Sequence, residues 1–232
     1  MWIAQYPAQP WHKRFNTCVY QRHNASAAAY VRNVAFEAGV YLRYIVDHYH
    51  ALSAVTAFVQ EDAGADVGAR IGCLRTDAPF GWAPLGGIFV AGRDLSIWRA
   101  RGEATAVHAC WSQLAADFGI YLPPGIEPAV SFYCCAYFAM TRAQIQRYSH
   151  ATYRRAYERL VLQPHCHDGE AFAGVSVTRA NDKDTSAGAF EHLQHALLGG
   201  QQLNMREFEA GDWCARFAPR NATGCAADSP CA

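Results

Sequence analysis

VRNVAFEAGVYLRYIVDHYHALSAVTAFVQED, Val31 to Asp62, sets a helix-period stretch before a compact apolar run and ends on two adjacent acids. Tyr41, Tyr44, Ile45 and His48 follow Glu37 at spacings that put them on one stripe, so Ala35 to His50 reads as a helix. VTAFV, Val55 to Val59, has no polar face, as expected of a strand covered on both sides. Short strands are expected at Trp2 to Tyr6 and, from the alternation in TCVYQRH, at Thr17 to His23. The resulting order of strand, strand, helix, strand is that of an open α/β sheet, whose ligands bind beyond the carboxyl ends of the strands. Gln60, Glu61 and Asp62 stand at such an end, and AGADVGAR after them supplies glycine flexibility for a close backbone approach. Without that frame the same acids are a solvated turn.

Outward from this stretch, the chain shows no internal repeat and no break in composition before about residue 210. We therefore expect one α/β domain over residues 1–210, with a mixed, mostly parallel central sheet flanked by helices. Residues 75–101 read as irregular with one strand over Gly87 to Ala91, and Thr105 to Phe118 as a helix closed by Gly119. AVSFYCCAYFAM, Ala129 to Met140, reads as a single aromatic strand. A long helix follows from Thr141, with Gln144 completing a capping-box pattern, to about Leu162, and a last one spans about Ala187 to Leu198. Residues 211–232 read as an irregular extension carrying Cys214, Cys225 and Cys231.

The composition narrows the function classes. Formal net charge is zero, which removes the electrostatic argument for a nucleic-acid partner or an anionic membrane. No apolar run reaches the roughly 18 residues of a membrane span. Lys13 and Lys183 are the only lysines among 20 Lys and Arg, which fits either planar guanidinium recognition or a GC-rich genome. Nine cysteines and the sequons at Asn24 and Asn221 point to disulfides and to the secretory lumen or the extracellular space. Cys134-Cys135 reads instead as a pair of buried small apolar residues, because adjacent strand residues face opposite sides. His165-Cys166-His167-Asp168 offers metal-ligand residue types without a second pair at finger-like spacing. Tyr148, Tyr153 and Tyr157 with Arg147, Arg154 and Arg155 read as a helix packing its tyrosines while its arginines stay in water. There is no G-x-S-x-G and no G-x-x-x-x-G-K.

The stretch RNVAFEAGVYLRYIVDHYHALSAVTAFVQED resembles the signature NVGREAHTYLxHIVxNYxxLxDVTVFLQGD of the family known as domain of unknown function 3431. FYCCAYFAMTRAQIQRYSHATYRRAYERL and FEHLQHALLG are similar to two later blocks of the same family, in the same order. The layout is in turn similar to the A-type glycosyltransferases, which deliver an acidic motif at a strand end. The resemblance implies a protein that transfers a sugar from a nucleotide sugar to a hydroxyl of a glycan or protein acceptor. A divalent cation, Mn or Mg, would be held at Asp62 assisted by Glu61, and Glu191 would be the general base. Asn33, Glu37 and Gln60 would shape the cleft around the nucleotide. Where the family pattern has Gly-Arg-Glu this chain has Ala35-Phe36-Glu37, and where it has His-Thr-Tyr this chain has Gly39-Val40-Tyr41. The lost arginine and histidine motivate an alternative: a non-catalytic structural or carbohydrate-contacting module of an extracellular or surface assembly.

Overall fold

The computed structural model describes residues 2–3, 10–22, 24–32, 35–60, 62–74, 80–94, 113–121, 129–162, 186–208 and 212–218. The strands are β1 (Trp2–Ile3), β2 (Val19–Tyr20), β3 (Val55–Phe58), β4 (Trp82–Pro84), β5 (Phe89–Asp94), β6 (Ala129–Tyr133) and β7 (Phe138–Thr141). Between and after them come the helices α1 (Phe36–His48), α2 (Ala65–Cys73), α3 (113–117), α4 (Arg142–Ile145), α5 (His150–Val161), α6 (Ser186–Leu197) and α7 (Asp212–Phe217).

The architecture is α/β, but the sheet is not mostly parallel. β7 lies between β3 and β4 and runs antiparallel to both, with Phe58 opposite Phe138 and Trp82 opposite Met140. β5 and β6 form a second antiparallel pair, and among the described strands only β1 and β2 pair in parallel. The expected strand–helix–strand unit does not close, because β2 pairs with β1 while β3 takes β7 as its neighbour. An apolar run such as VTAFV satisfies either direction of pairing, so its periodicity carries no information on this point.

The run Ala129 to Met140 is two strands, not one. Cys135 and Ala136 adopt left-handed φ angles of 80° and 54°, which turn the chain between β6 and β7. Hydrogen bonding nevertheless continues past the turn. The Leu85 amide donates to the Tyr137 carbonyl at 2.8 Å, and the Cys134 amide donates to the Ile88 carbonyl at 2.9 Å. β4 and β5 thus run beside β7 and β6 across the interruption. Gly86 is required there, since a Cβ would lie 2.7 Å from the Cys134 carbonyl oxygen.

Local chemistry accounts for the remaining boundaries. From Ala65 onward AGADVGAR is not a flexible loop but part of α2, capped by Gly64, and Gly68 admits the Trp11 ring that a Cβ would meet at 2.6 Å. Thr141 accepts the Gln144 amide at 3.2 Å, as the capping pattern implies. The long helix expected after it is broken, because Ser149 begins a second one by accepting the Thr152 amide at 3.1 Å. β4 lies inside the segment read as irregular, and the expected strand over Gly87 to Ala91 is Phe89–Asp94. Within the stretch expected to be irregular, α7 is helical and buries Trp213 and Phe217.

The pleat of the β3–β7–β4 sheet divides the core in two. Phe58, Trp82, Phe138 and Met140 face one side with α1, α5 and α6, whereas Ala83, Ala139 and Leu85 face the other with α2 and α7. On the first side Phe138 stacks on Phe58 at 4.9 Å and on Trp82 at 6.3 Å, and Tyr41 abuts Phe138 edge-on at 5.6 Å. On the second the Trp213 indole donates to the Pro84 carbonyl at 2.6 Å. The tyrosine stripe of α5 is a packing face: Tyr153 is fully buried and donates to the Ile145 carbonyl, while Arg154 and Arg155 are exposed. Truncating the central ring removes contacts with three aromatic neighbours at once. Phe138→Ala is expected to cost about 3–5 kcal/mol, measured as a lowered urea midpoint with an unchanged slope.

Candidate functional site

Glu37 lies in the first turn of α1, where the helix dipole favours a carboxylate, yet it is only 8% exposed. Burial pushes its carboxyl up to about 7, and repulsion from Glu191 and, more weakly, Asp62 adds to this. Its own backbone amide and the Arg22 guanidinium pull the other way. One turn further along α1, Tyr41 is completely buried, and its hydroxyl has no hydrogen-bond partner among the described residues. Burial raises that hydroxyl's pKa first, followed by the charges of Glu37, Tyr137 and Asp62.

Three other elements complete the cluster. Asp62, just beyond β3, is exposed and accepts a 2.7 Å hydrogen bond from the Tyr137 hydroxyl. Tyr137 leads from the left-handed turn into β7, and burial followed by the Asp62 carboxylate pushes its hydroxyl well up. Glu191, on α6, is half-buried and accepts the Cys135 backbone amide at 2.9 Å. Cys134 and Cys135 are joined by a disulfide.

Asp62 and Glu191 therefore both act electrostatically on Glu37 although the three come from different elements of the chain. Gln60 enters through its backbone, whose carbonyl accepts the Ala63 amide at 3.2 Å. Asn33 and Glu61 lie outside the described residues, as do His165, Cys166, His167, Asp168, Cys225 and Cys231. The reading of Cys134-Cys135 as two apolar fillers is corrected. Opposite-face geometry holds only inside a strand, and Cys135 leaves the strand with φ 80°. Cys134-Cys135-Ala136 contains no Gly, Pro, Asn or Asp, so the turn that also aims Tyr137 had no signal in the sequence.

What the cluster can hold follows from its donors. Glu37 is repelled by both Glu191 and Asp62, and of the three Asp62 is the one open to solvent. Separately, Cys134, Cys135 and Glu191 are a set of three whose ligand atoms all lie within 4.8 Å of one another. A cavity of about 390 Å³ beside β3 is of another kind. It is lined by Trp11, Tyr44, Val55 and Ile71 among others, and by no carboxylate.

A family model described as "Protein of unknown function (DUF3431)" matches residues 1–68. That span carries Glu37 and Asp62 but ends before Cys134, Tyr137 and Glu191. Searches of curated proteins and of solved structures return no match.

Burying Glu37 has a cost that depends on pH. Its neutral form is retained in the fold up to about 7 but ionises in the unfolded chain near 4.5. Stability from this group is thus fully present below 4.5 and lost as pH rises through about 7, a difference of about 3 kcal/mol in all. Glu37→Gln is expected to raise the melting temperature at pH 8 and to leave it nearly unchanged at pH 4, as read by differential scanning calorimetry.

Proposed function

We propose that this chain is a glycosyltransferase-like protein that moves a sugar from a nucleotide sugar to a hydroxyl acceptor. The observation that carries the reading is the gathering of Glu37, Asp62 and Glu191 beside Tyr137, with Asp62 open to solvent. Glu191 acts as the base towards the acceptor hydroxyl, its carboxylate oriented by the Cys135 amide. Tyr137 fixes Asp62, and Glu37, buried behind it, shapes the polarity of the cleft floor from within. Asn33, Gln60 and Glu61 belong to the same cleft in this reading. A Mn or Mg ion held at Asp62 and Glu61 would supply neutralisation of the departing diphosphate. The disulfides at Cys73, Cys134, Cys135 and Cys214 support placement in the secretory lumen or outside the cell.

A second reading rests on the burial of Glu37 and Tyr41, which closes the inner half of the cluster. In it the chain is a non-catalytic structural or carbohydrate-contacting module of a surface assembly, with a glycan or protein partner.

The test is incubation of the purified chain with uridine and guanosine nucleotide sugars, with manganese or with a chelator. Release of nucleoside diphosphate that needs the metal is expected, falling about 100-fold or more in Glu191→Gln and in Asp62→Ala. If no nucleotide sugar turns over and calorimetry shows no heat for wild type or Asp62→Ala, the transferase reading fails and the module remains.

A further inference from the structure

The Cys134–Cys135 disulfide does little to hold the fold together. A bond between neighbouring residues closes almost no loop, so it removes almost no entropy from the unfolded chain. It also sits where two non-glycine residues in succession, Cys135 and Ala136, occupy the left-handed region, an arrangement that costs energy and is found at functional sites. Both cysteines are half-buried, at the surface end of the turn and not within either core. Beside them stands Glu191, which accepts the Cys135 amide at 2.9 Å and places a carboxylate oxygen within 4.8 Å of both sulfurs.

We propose that Cys134, Cys135 and Glu191 form a redox-gated site for a thiophilic divalent cation of the zinc and cadmium class. In the disulfide the sulfurs are bonded to each other and the site is closed. A dithiol reductant opens it: two electrons and two protons pass from the dithiol, the S–S bond breaks, two thiols form and the reductant becomes a disulfide. The freed sulfurs can then separate towards the roughly 3.7 Å edge of a tetrahedral site with metal–sulfur bonds of about 2.3 Å. On binding, two sulfur–metal bonds form and two protons leave to solvent, while Glu191 provides the third ligand as a carboxylate. Two thiolates select a soft or borderline ion over magnesium or manganese. The site does not rest on the sugar-transfer reading, and its readouts need no nucleotide.

The full chain is reduced with a phosphine, freed of reductant and titrated with cadmium, and the ultraviolet thiolate-to-cadmium absorption is followed. The Cys134→Ser/Cys135→Ser double variant serves as the baseline for the other cysteines. The expected result is an increment of one cadmium per chain over that baseline, displaced by zinc and absent from the unreduced protein. Glu191→Gln is expected to weaken cadmium binding about tenfold. A titration of the double variant that matches reduced wild type, or an equal increment without reduction, overturns the proposal. A second measurement requires no substitution: cadmium must protect Cys134 and Cys135 of the reduced protein from alkylation, read on the peptide that contains them. Equal alkylation with and without cadmium overturns the proposal as well.

Discussion

The structure depends on one strand being hydrogen-bonded on both sides. β7 is short, but between β3 and β4 it has no freedom to slip, because a shift of one residue would swap Phe138 and Met140 with Ala139 across the sheet. The helices α1, α5 and α6 pack on the large residues, and α2 and α7 on the small-residue face. That register fixes where the preceding turn must lie. Leu85 holds Tyr137 and Ile88 holds Cys134 with two residues between on each side, so the register carries through while Cys135 and Ala136 bend into the left-handed region. Left-handed residues inside an otherwise continuous pairing turn the following side chain away from its pleat position. Here the re-aimed residue is Tyr137, brought to Asp62 at the end of the neighbouring strand.

A polar cluster in this position is costly, and the fold supplies only part of the compensation. Glu37 has a favourable place in the helix and an opposing cation in Arg22, yet burial and two neighbouring acids outweigh both. A leucine in its place would suit the same apolar surroundings better. The Tyr41 hydroxyl is similar: its ring is integral to the aromatic stack on Phe58 and Phe138, while its oxygen gains nothing from the described residues. Groups that cost stability where an apolar residue would fit are those whose retention calls for a chemical reason.

Much of the fold was legible where a pattern has a local cause. The stripe of Glu37, Tyr41, Tyr44, Ile45 and His48 gave α1 to within two residues of each end, and VTAFV gave β3. Gly119 and Gly200 take left-handed conformations after helical segments, and Thr141 caps its helix. Pairing direction was not legible, since it is decided by which strand β3 meets in space and not by β3 itself. The site was half legible for the same reason. Asp62 carries charge just past a strand and Glu191 lies in a helix the sequence marks, whereas Tyr137 and the cysteine pair matter only because an unmarked turn reverses their expected facing. α2 was missed because its glycines signal flexibility in a sequence, but in the fold Gly68 serves contact with Trp11.

The cysteines illustrate how one residue type divides its roles by sequence spacing. Cys73 lies at the end of α2 and Cys214 within α7, both in the smaller core, and each is in a disulfide. Disulfides in such places restrain the unfolded chain and secure a thin layer of helix over the sheet. Cys134–Cys135 restrains nothing beyond its own turn, but that turn is the junction of β6, β7 and, through Glu191, α6. A change in the bond therefore acts on the amide that orients Glu191 and on the backbone that positions Tyr137, leaving the two packed faces of the sheet intact. The dipeptide thus touches the acidic cluster through one amide and closes almost no loop of the chain.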